Sequence, residues 1–122
     1  MVPALSPVLT RYAARRLAEA KRLVWGRPVT AYLTDARLQV QTGFGVVHDH
    51  VAQTGHRFRT GHRILTSDVL GVERNGAFWG LHTRSGSLYV IATFARCGGR
   101  RSLDTWIKFG PAALHPAPAR WQ

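Results

Sequence analysis

Hydrophobic periodicity changes once along this chain, near Val29, and the change limits the fold more than any motif does. Before it, Leu9, Ala13, Leu17, Ala20 and Val24 share one face at about 100° per residue, and Arg11, Arg15 and Arg22 fall opposite. Ser6 followed by Pro7 supplies a hydroxyl cap and a first helical residue with no donor to leave unpaired. Gly26 and Pro28 mark the stop. The spacing predicts an amphipathic helix over about 7–25, whose apolar stripe must be buried against another layer. Glu19 is the only acid within it, so pairing one helical turn away leaves most of its arginine charge uncompensated.

After Val29 the period falls to two and β-branched and aromatic residues accumulate. Strands are predicted at 29–34, 37–42, 44–48, 62–66, 68–74, 77–83, 87–95 and 103–109. The fold class that follows is α+β: an N-terminal amphipathic helix packed on a bent, mostly antiparallel sheet or small open β-barrel. One domain spans 1–110, and the Pro/Ala-rich residues 111–122 form an extended tail.

Two turns give a checkable register. Asn75-Gly76 suits a two-residue hairpin loop, which sets Val72 opposite Trp79, Leu70 opposite Leu81 and Gly71 opposite Gly80. With Ser85-Gly86 as the next loop, Leu81 faces Val90 and Trp79 faces Ala92. Phe78, His82 and Tyr89 then share the other face. That face is either a base-stacking platform or a second core covered by the helix. The paired glycines allow a bend or a close approach by another backbone.

Charge constrains partners, not fold. Seventeen Lys plus Arg against six Asp plus Glu give a net charge of +11 and a pI near 11.6. Only Lys21 and Lys108 are lysine, leaving fifteen arginines, and guanidinium groups bind phosphate bidentately and stack on bases. The expected partner is nucleic acid, RNA or DNA, or a nucleoprotein complex. Cys97 is the single cysteine, which excludes an internal disulfide and points to an intracellular, cytoplasmic protein. No run of 18 apolar residues occurs, so no membrane partner is expected. A homodimer through an exposed strand edge stays open.

The run HDHVAQTGHRFRTGHR, residues 48–63, concentrates four histidines and three arginines. His48, His50, His56 and His62 are metal-ligand types, but Arg57, Arg59 and Arg63 repel a dication and no cysteine is near, so neither metal nor cofactor is expected. Metal-independent ribonuclease chemistry is the second candidate, with His50, His56, His62 and His82 moving protons and the arginines holding phosphate. The layout resembles that of small basic toxins with a helical part followed by an antiparallel sheet. The third candidate, and the favoured one, is phosphate holding without catalysis, through backbone N–H groups at Thr54-Gly55 and Thr60-Gly61 and the side chains of His56, Arg57, Arg59 and Arg63. Further on, ARCGGRRS reads as a mobile hairpin tip with Arg96, Arg100 and Arg101 available to phosphate.

Gly61, Ile64, Thr66, Ser67 and Val69 form a Gly-x-x-Ile-x-Thr-Ser-x-Val segment, followed by Thr83, Ser85, Gly86, Ser87 and Tyr89 as Thr-x-Ser-Gly-Ser-x-Tyr. This pattern of about 35 residues resembles small β-rich proteins of bacterial phages, plasmids and integrative elements. The resemblance implies a β-rich domain from a mobile element and carries no activity. Thr66 and Ser67 are expected to satisfy a strand end. The sequence-level reading is a non-enzymatic nucleic-acid-binding accessory protein. Its contacts would be Arg11, Arg15, Arg22, His56, Arg57, Arg59, Arg63, Arg96, Arg100 and Arg101, with Phe78, His82 and Tyr89 stacking. A ribonuclease, or an inhibitor of a host defence complex such as an anti-CRISPR or anti-restriction protein, is the alternative.

Overall fold

The computed structural model describes residues 9–51 and 61–110, together with the backbone of 57–58. The elements are α1 (Arg11–Lys21), β1 (Ala31–Gln39), β2 (Thr42–His48), β3 (His50–Val51), β4 (Arg57–Phe58), β5 (Arg63–Asn75), β6 (Phe78–Thr83), β7 (Leu88–Ile91) and α2 (Gly99–Phe109). The fold is α+β. No described helix is long and apolar enough to cross a membrane.

Strands β1, β2, β5, β6 and β7 close into a barrel in that order, and β3 and β4 form a separate two-stranded sheet. Each barrel strand runs antiparallel to the one before it, so the first and fifth must run the same way. Closure therefore falls to a parallel seam, Ala31, Tyr32 and Leu33 beside Tyr89, Val90 and Ile91, with an added bridge between Ala36 and Phe94. The barrel is closed rather than open. The expected strands 29–34 and 37–42 are the single strand β1, interrupted by a bulge between Thr34 and Arg37, where Asp35 takes φ 53°. Likewise 62–66 and 68–74 are one strand, β5, whose first half pairs with β2 and second half with β6. It turns the corner at a bulge between Val69 and Gly71.

Two hydrophobic clusters result. The barrel interior holds Ala31, Leu33, Leu38, Val47, Val69, Leu81, Tyr89 and Ile91, closed by Leu103 and Trp106 of α2. Outside, Leu17 and Ala20 of α1 cover Tyr32, Phe78, Leu88, Val90 and Ala92, with Trp25 and Val29 completing the cluster. Burying each of the larger side chains contributes about 1.5–3 kcal/mol.

Helix α1 is shorter than the predicted 7–25. It begins at a Thr10 cap, whose hydroxyl accepts from the Ala13 amide at 3.0 Å, and the Ser6-Pro7 signal lies outside the described residues. The predicted stripe is correct at Ala13, Leu17 and Ala20, but Leu9 precedes the Thr10 cap and is exposed, and Val24 is 89% exposed because the chain leaves the helix after Lys21 and turns Trp25 inward. Arg16, opposite in character to the stripe it borders, fastens α1 to the barrel. Its Nε donates to the Ala92 carbonyl at 3.0 Å, and its guanidinium lies 4.1 Å from the Phe78 ring centroid.

The register differs from expectation at both turns. The first loop is Gly76-Ala77, with Asn75 paired to Phe78, because Asn75 stays in the strand and donates its side-chain amide to the Val24 carbonyl at 2.9 Å. Val72 thus opposes Leu81, Glu73 opposes Gly80 and Gly71 opposes His82, a two-residue slip that keeps each face. The second loop contains 84–86, with the Thr83 amide donating to the Ser87 carbonyl and Gly86 at φ 88°. Leu81 thereby pairs with Tyr89 and Gly80 with Val90. This one-residue slip moves Tyr89 into the barrel interior, so Phe78, His82 and Tyr89 form no platform; Phe78 lies under α1 instead.

Three further corrections concern β5 and the C-terminal part. Thr66 and Ser67 do not end a strand. The Thr66 hydroxyl accepts from the Gly43 amide at 2.9 Å where β5 bulges, and Ser67 bonds Ser85. The predicted strand 103–109 is helical, because Leu103 and Trp106 share one side of α2 at a three-residue spacing and both pack on the barrel. The glycine pair of ARCGGRRS starts that helix and is not a hairpin tip.

Gly80 takes the Trp25 ring where any side chain would intrude. An added Cβ would stand 2.8 Å from Leu88 Cδ1 and 2.9 Å from Trp25 Cζ3. Gly80→Ala is therefore expected to destabilise the protein by about 1–3 kcal/mol through overpacking, read as a lower urea midpoint with an unchanged slope.

Candidate nucleic-acid interface

The six acids are largely consumed inside the fold. Glu19 pairs with Arg16, Asp49 with Lys21, Asp68 with Arg84, Glu73 with His82 and Asp104 with Arg100, so five of the six have a basic partner. Among the described residues, Arg11, Arg15, Arg22, Arg37, Arg63, Arg96 and Arg101 are exposed and have no carboxylate partner. Neither helix has an acid in its first turn, and each carries arginine there. Arginine at a helix N-terminus opposes the helix dipole, so these ends add to a positive potential of the kind that attracts anions.

One corner concentrates this charge. Gly98 at φ 84° leads into α2 with no side-chain cap, and Arg96, Arg100 and Arg101 surround a recess of about 430 Å³ whose only carboxylate is that of Asp104. Arg100 is held in place from several sides. It pairs with Asp104 one turn away, and its guanidinium lies 5.6 Å from the Trp79 ring centroid and 5.8 Å from that of Phe94. Arg74 sits 5.9 Å from the same Trp79 ring. Guanidinium groups braced on aromatic rings lose little rotamer freedom when they bind phosphate.

The described members of the histidine-rich stretch lie at separate places in the fold. His56 and Arg59 lie outside the described residues, and Arg57 is described only as backbone in β4. His50 sits in β3 opposite Phe58, and His62 is exposed just before β5, with its carbonyl accepting from the Val47 amide. His82 pairs with Gly71, nine positions along β5 from His62, on the order of 20–30 Å at strand spacing. Its Nε2 is 2.8 Å from Glu73 Oε1. His62 and His82 thus cannot flank one phosphodiester. Among the described residues no three His, Cys, Asp or Glu side chains come together as metal ligands.

His48 occupies a different environment, between β1, β2 and α1. Its Nε2 is 2.8 Å from Thr34 Oγ1, and the Lys21–Asp49 ion pair lies beside it. Asp35 and Asp49, on either side, both take positive φ, at 53° and 50°, an uncommon conformation for residues with a Cβ. Burial pushes the imidazole below the ordinary histidine value; the Asp49 charge acts against this, Lys21 adds to it and Asp35 opposes it. The crevice that His48 shares with Thr10 and Thr34 holds about 40 Å³, room for little more than a water molecule.

Of the residues read from the sequence, Arg96, Arg100 and Arg101 come together, Arg11, Arg15 and Arg22 line the outer side of α1, and Arg63 opens β5. Tyr89 and Phe78 are buried, and His82 is engaged by Glu73. Trp79, Phe94, Arg74 and Arg37 are not among the contacts the sequence suggests, and Trp79 is expected only as a paired residue of the meander. Their only signal is arginine near aromatic residues in strands, which becomes a ring contact through β5–β6 register and the packing of α2. Comparison with known proteins found no matching family model, no similar curated protein and no similar solved structure. Fold and site together describe a small, strongly basic five-stranded barrel with one helix against its wall and one at its end.

Because the folded state holds His48 less basic than the unfolded chain, whose histidines titrate near pH 6.5, its contribution to stability is present above that pH and is lost as pH falls through the lower folded value. Chemical denaturation of wild type and His48→Gln between pH 8 and 5 should show a steeper acid loss in wild type; parallel curves would remove His48 from the account.

Proposed function

We propose that the chain is a non-enzymatic, cytoplasmic nucleic-acid-binding protein whose main phosphate contacts are Arg96, Arg100 and Arg101 at the start of α2. The observation that carries this reading is the division of charge. Five acids are paired within the protein, and the described arginines without a carboxylate partner are exposed, with Arg96 and Arg101 standing beside the Asp104-paired Arg100 around an uncapped helix start. Such a surface attracts a polyanion through counterion release and reads no sequence by itself. The outer arginines of α1 extend the basic surface and would engage a nucleoprotein target in the same way.

Arg100→Glu with Arg101→Glu is expected to weaken binding to all sequences alike and to make the salt dependence shallower by about one unit for each phosphate the variant no longer neutralises. Asp104→Asn should act in the opposite direction, since it removes the one carboxylate in the recess. Anisotropy titrations of single-stranded and duplex probes across a salt series check both, and unchanged affinity in both variants would overturn this assignment of the surface.

A further inference from the structure

Only part of the barrel wall is covered. Helix α1 lies over Tyr32, Phe78 and Val90, and its first turn reaches Val46 and His48 at the far end of β2, whereas the outer side of β2 and β5 around Phe44 and Leu65 carries a cross-strand row with no described helix upon it. The register sets Arg37 beside Phe44 and Phe44 beside Leu65, and Arg63 follows two residues away on β5. Directly paired residues project to the same side of a sheet, so these side chains share one face. The next residues in each strand confirm the sidedness: Leu38 and Ile64 pack on the barrel interior. Leu65 is 60% exposed, Phe44 is half-buried, and Arg37 and Arg63 are exposed.

An aromatic ring and an exposed leucine flanked by two arginines suit an occupant that is both planar and anionic. A second copy would bring the same cations face to face under a net charge of +11. Duplex nucleic acid presents phosphate to such a wall but hides the faces of its bases. A single strand offers both: bases that stack on an aromatic platform and phosphates that follow the flanking cations. From this charge pattern and register we infer that the β2–β5 face is a single-strand platform, with Phe44 stacking a base and Arg37 and Arg63 holding the adjoining phosphates. The nearby acids do not oppose this at the row itself. Asp68 lies beyond the β5 bulge and pairs with Arg84, and Asp35 belongs to the β1 bulge two residues before Arg37.

The inference rests on the nucleic-acid reading above and adds to it a preference that the α2 corner alone would not produce. The test uses the full chain and three fluorescent probes of equal length: oligothymidylate, a backbone of abasic deoxyribose phosphates, and a duplex. Wild type should bind oligothymidylate about 5- to 150-fold more tightly than the abasic strand, the range for one stacked base. Phe44→Ala should bring that ratio towards one with little change for the abasic strand, and Phe44→Tyr should retain it. Circular dichroism melting reports whether Phe44→Ala folds; if it does not, the surface pair Arg37→Ser and Leu65→Ser must lower the ratio instead. A ratio near one in wild type, or one that survives these changes, overturns the platform while salt-dependent binding to the abasic strand keeps the broader reading. Absence of binding to all three probes overturns both.

Discussion

A five-stranded meander closes only if its first and last strands lie side by side, and here that union is a short parallel seam between β1 and β7. Both hydrophobic clusters depend on it. Leu33 and Ile91 meet across the seam inside the barrel, and Tyr32 and Val90 meet across it on the outside. Helix α2 builds on the same strand. The Leu38 amide donates to Ser102 Oγ at 2.8 Å, and the Ala95 amide donates to the Ala36 carbonyl at 2.9 Å. The position of Arg96, Arg100 and Arg101 is therefore a consequence of closure, although none of them lies in a barrel strand.

Closure also divides the surface into covered and uncovered walls. Helix α1 and Trp25 close off the wall formed by β1, β6 and β7, which uses up the aromatic Phe78 as core. Among the described residues, what is left outside is the β2–β5 wall around Phe44 and Leu65 and the end of the barrel where Trp79 and Phe94 lie against Arg100. Pairing the scarce acids with Arg16, Lys21, Arg84 and Arg100 secures helices and loops, and the same pairing leaves a large arginine excess without internal compensation. Internal ion pairing and the positive surface thus draw on one charge distribution.

Much of this was legible in the chain. The buried stripe Ala13, Leu17 and Ala20, the outward Arg11, Arg15 and Arg22, the run of strands after Val29 and the cation cluster near residue 100 follow from period and composition. The turn chemistry was less reliable. Asn75-Gly76 marks a loop, but Asn75 found a better partner in the Val24 carbonyl, far away in sequence, and the register moved with it. The three-residue loop at 84–86 then inverted Tyr89, and with it the expected stacking face. Residues 103–109 misled for a related reason: in so short an amphipathic run, Leu103 and Trp106 satisfy more than one period.

Sequence alone determined the α+β class, the amphipathic first helix and an arginine surplus too large to neutralise internally, because these depend on local periodicity and on counting charges. Tertiary structure decided which face each strand shows, that the sheet closes, and that arginine, tryptophan and phenylalanine from β5, β6, α2 and the turn before α2 meet at one corner. A one-residue slip in pairing reverses every side chain of a strand at little local energetic difference, so long-range packing, not local preference, settles where the aromatic residues go.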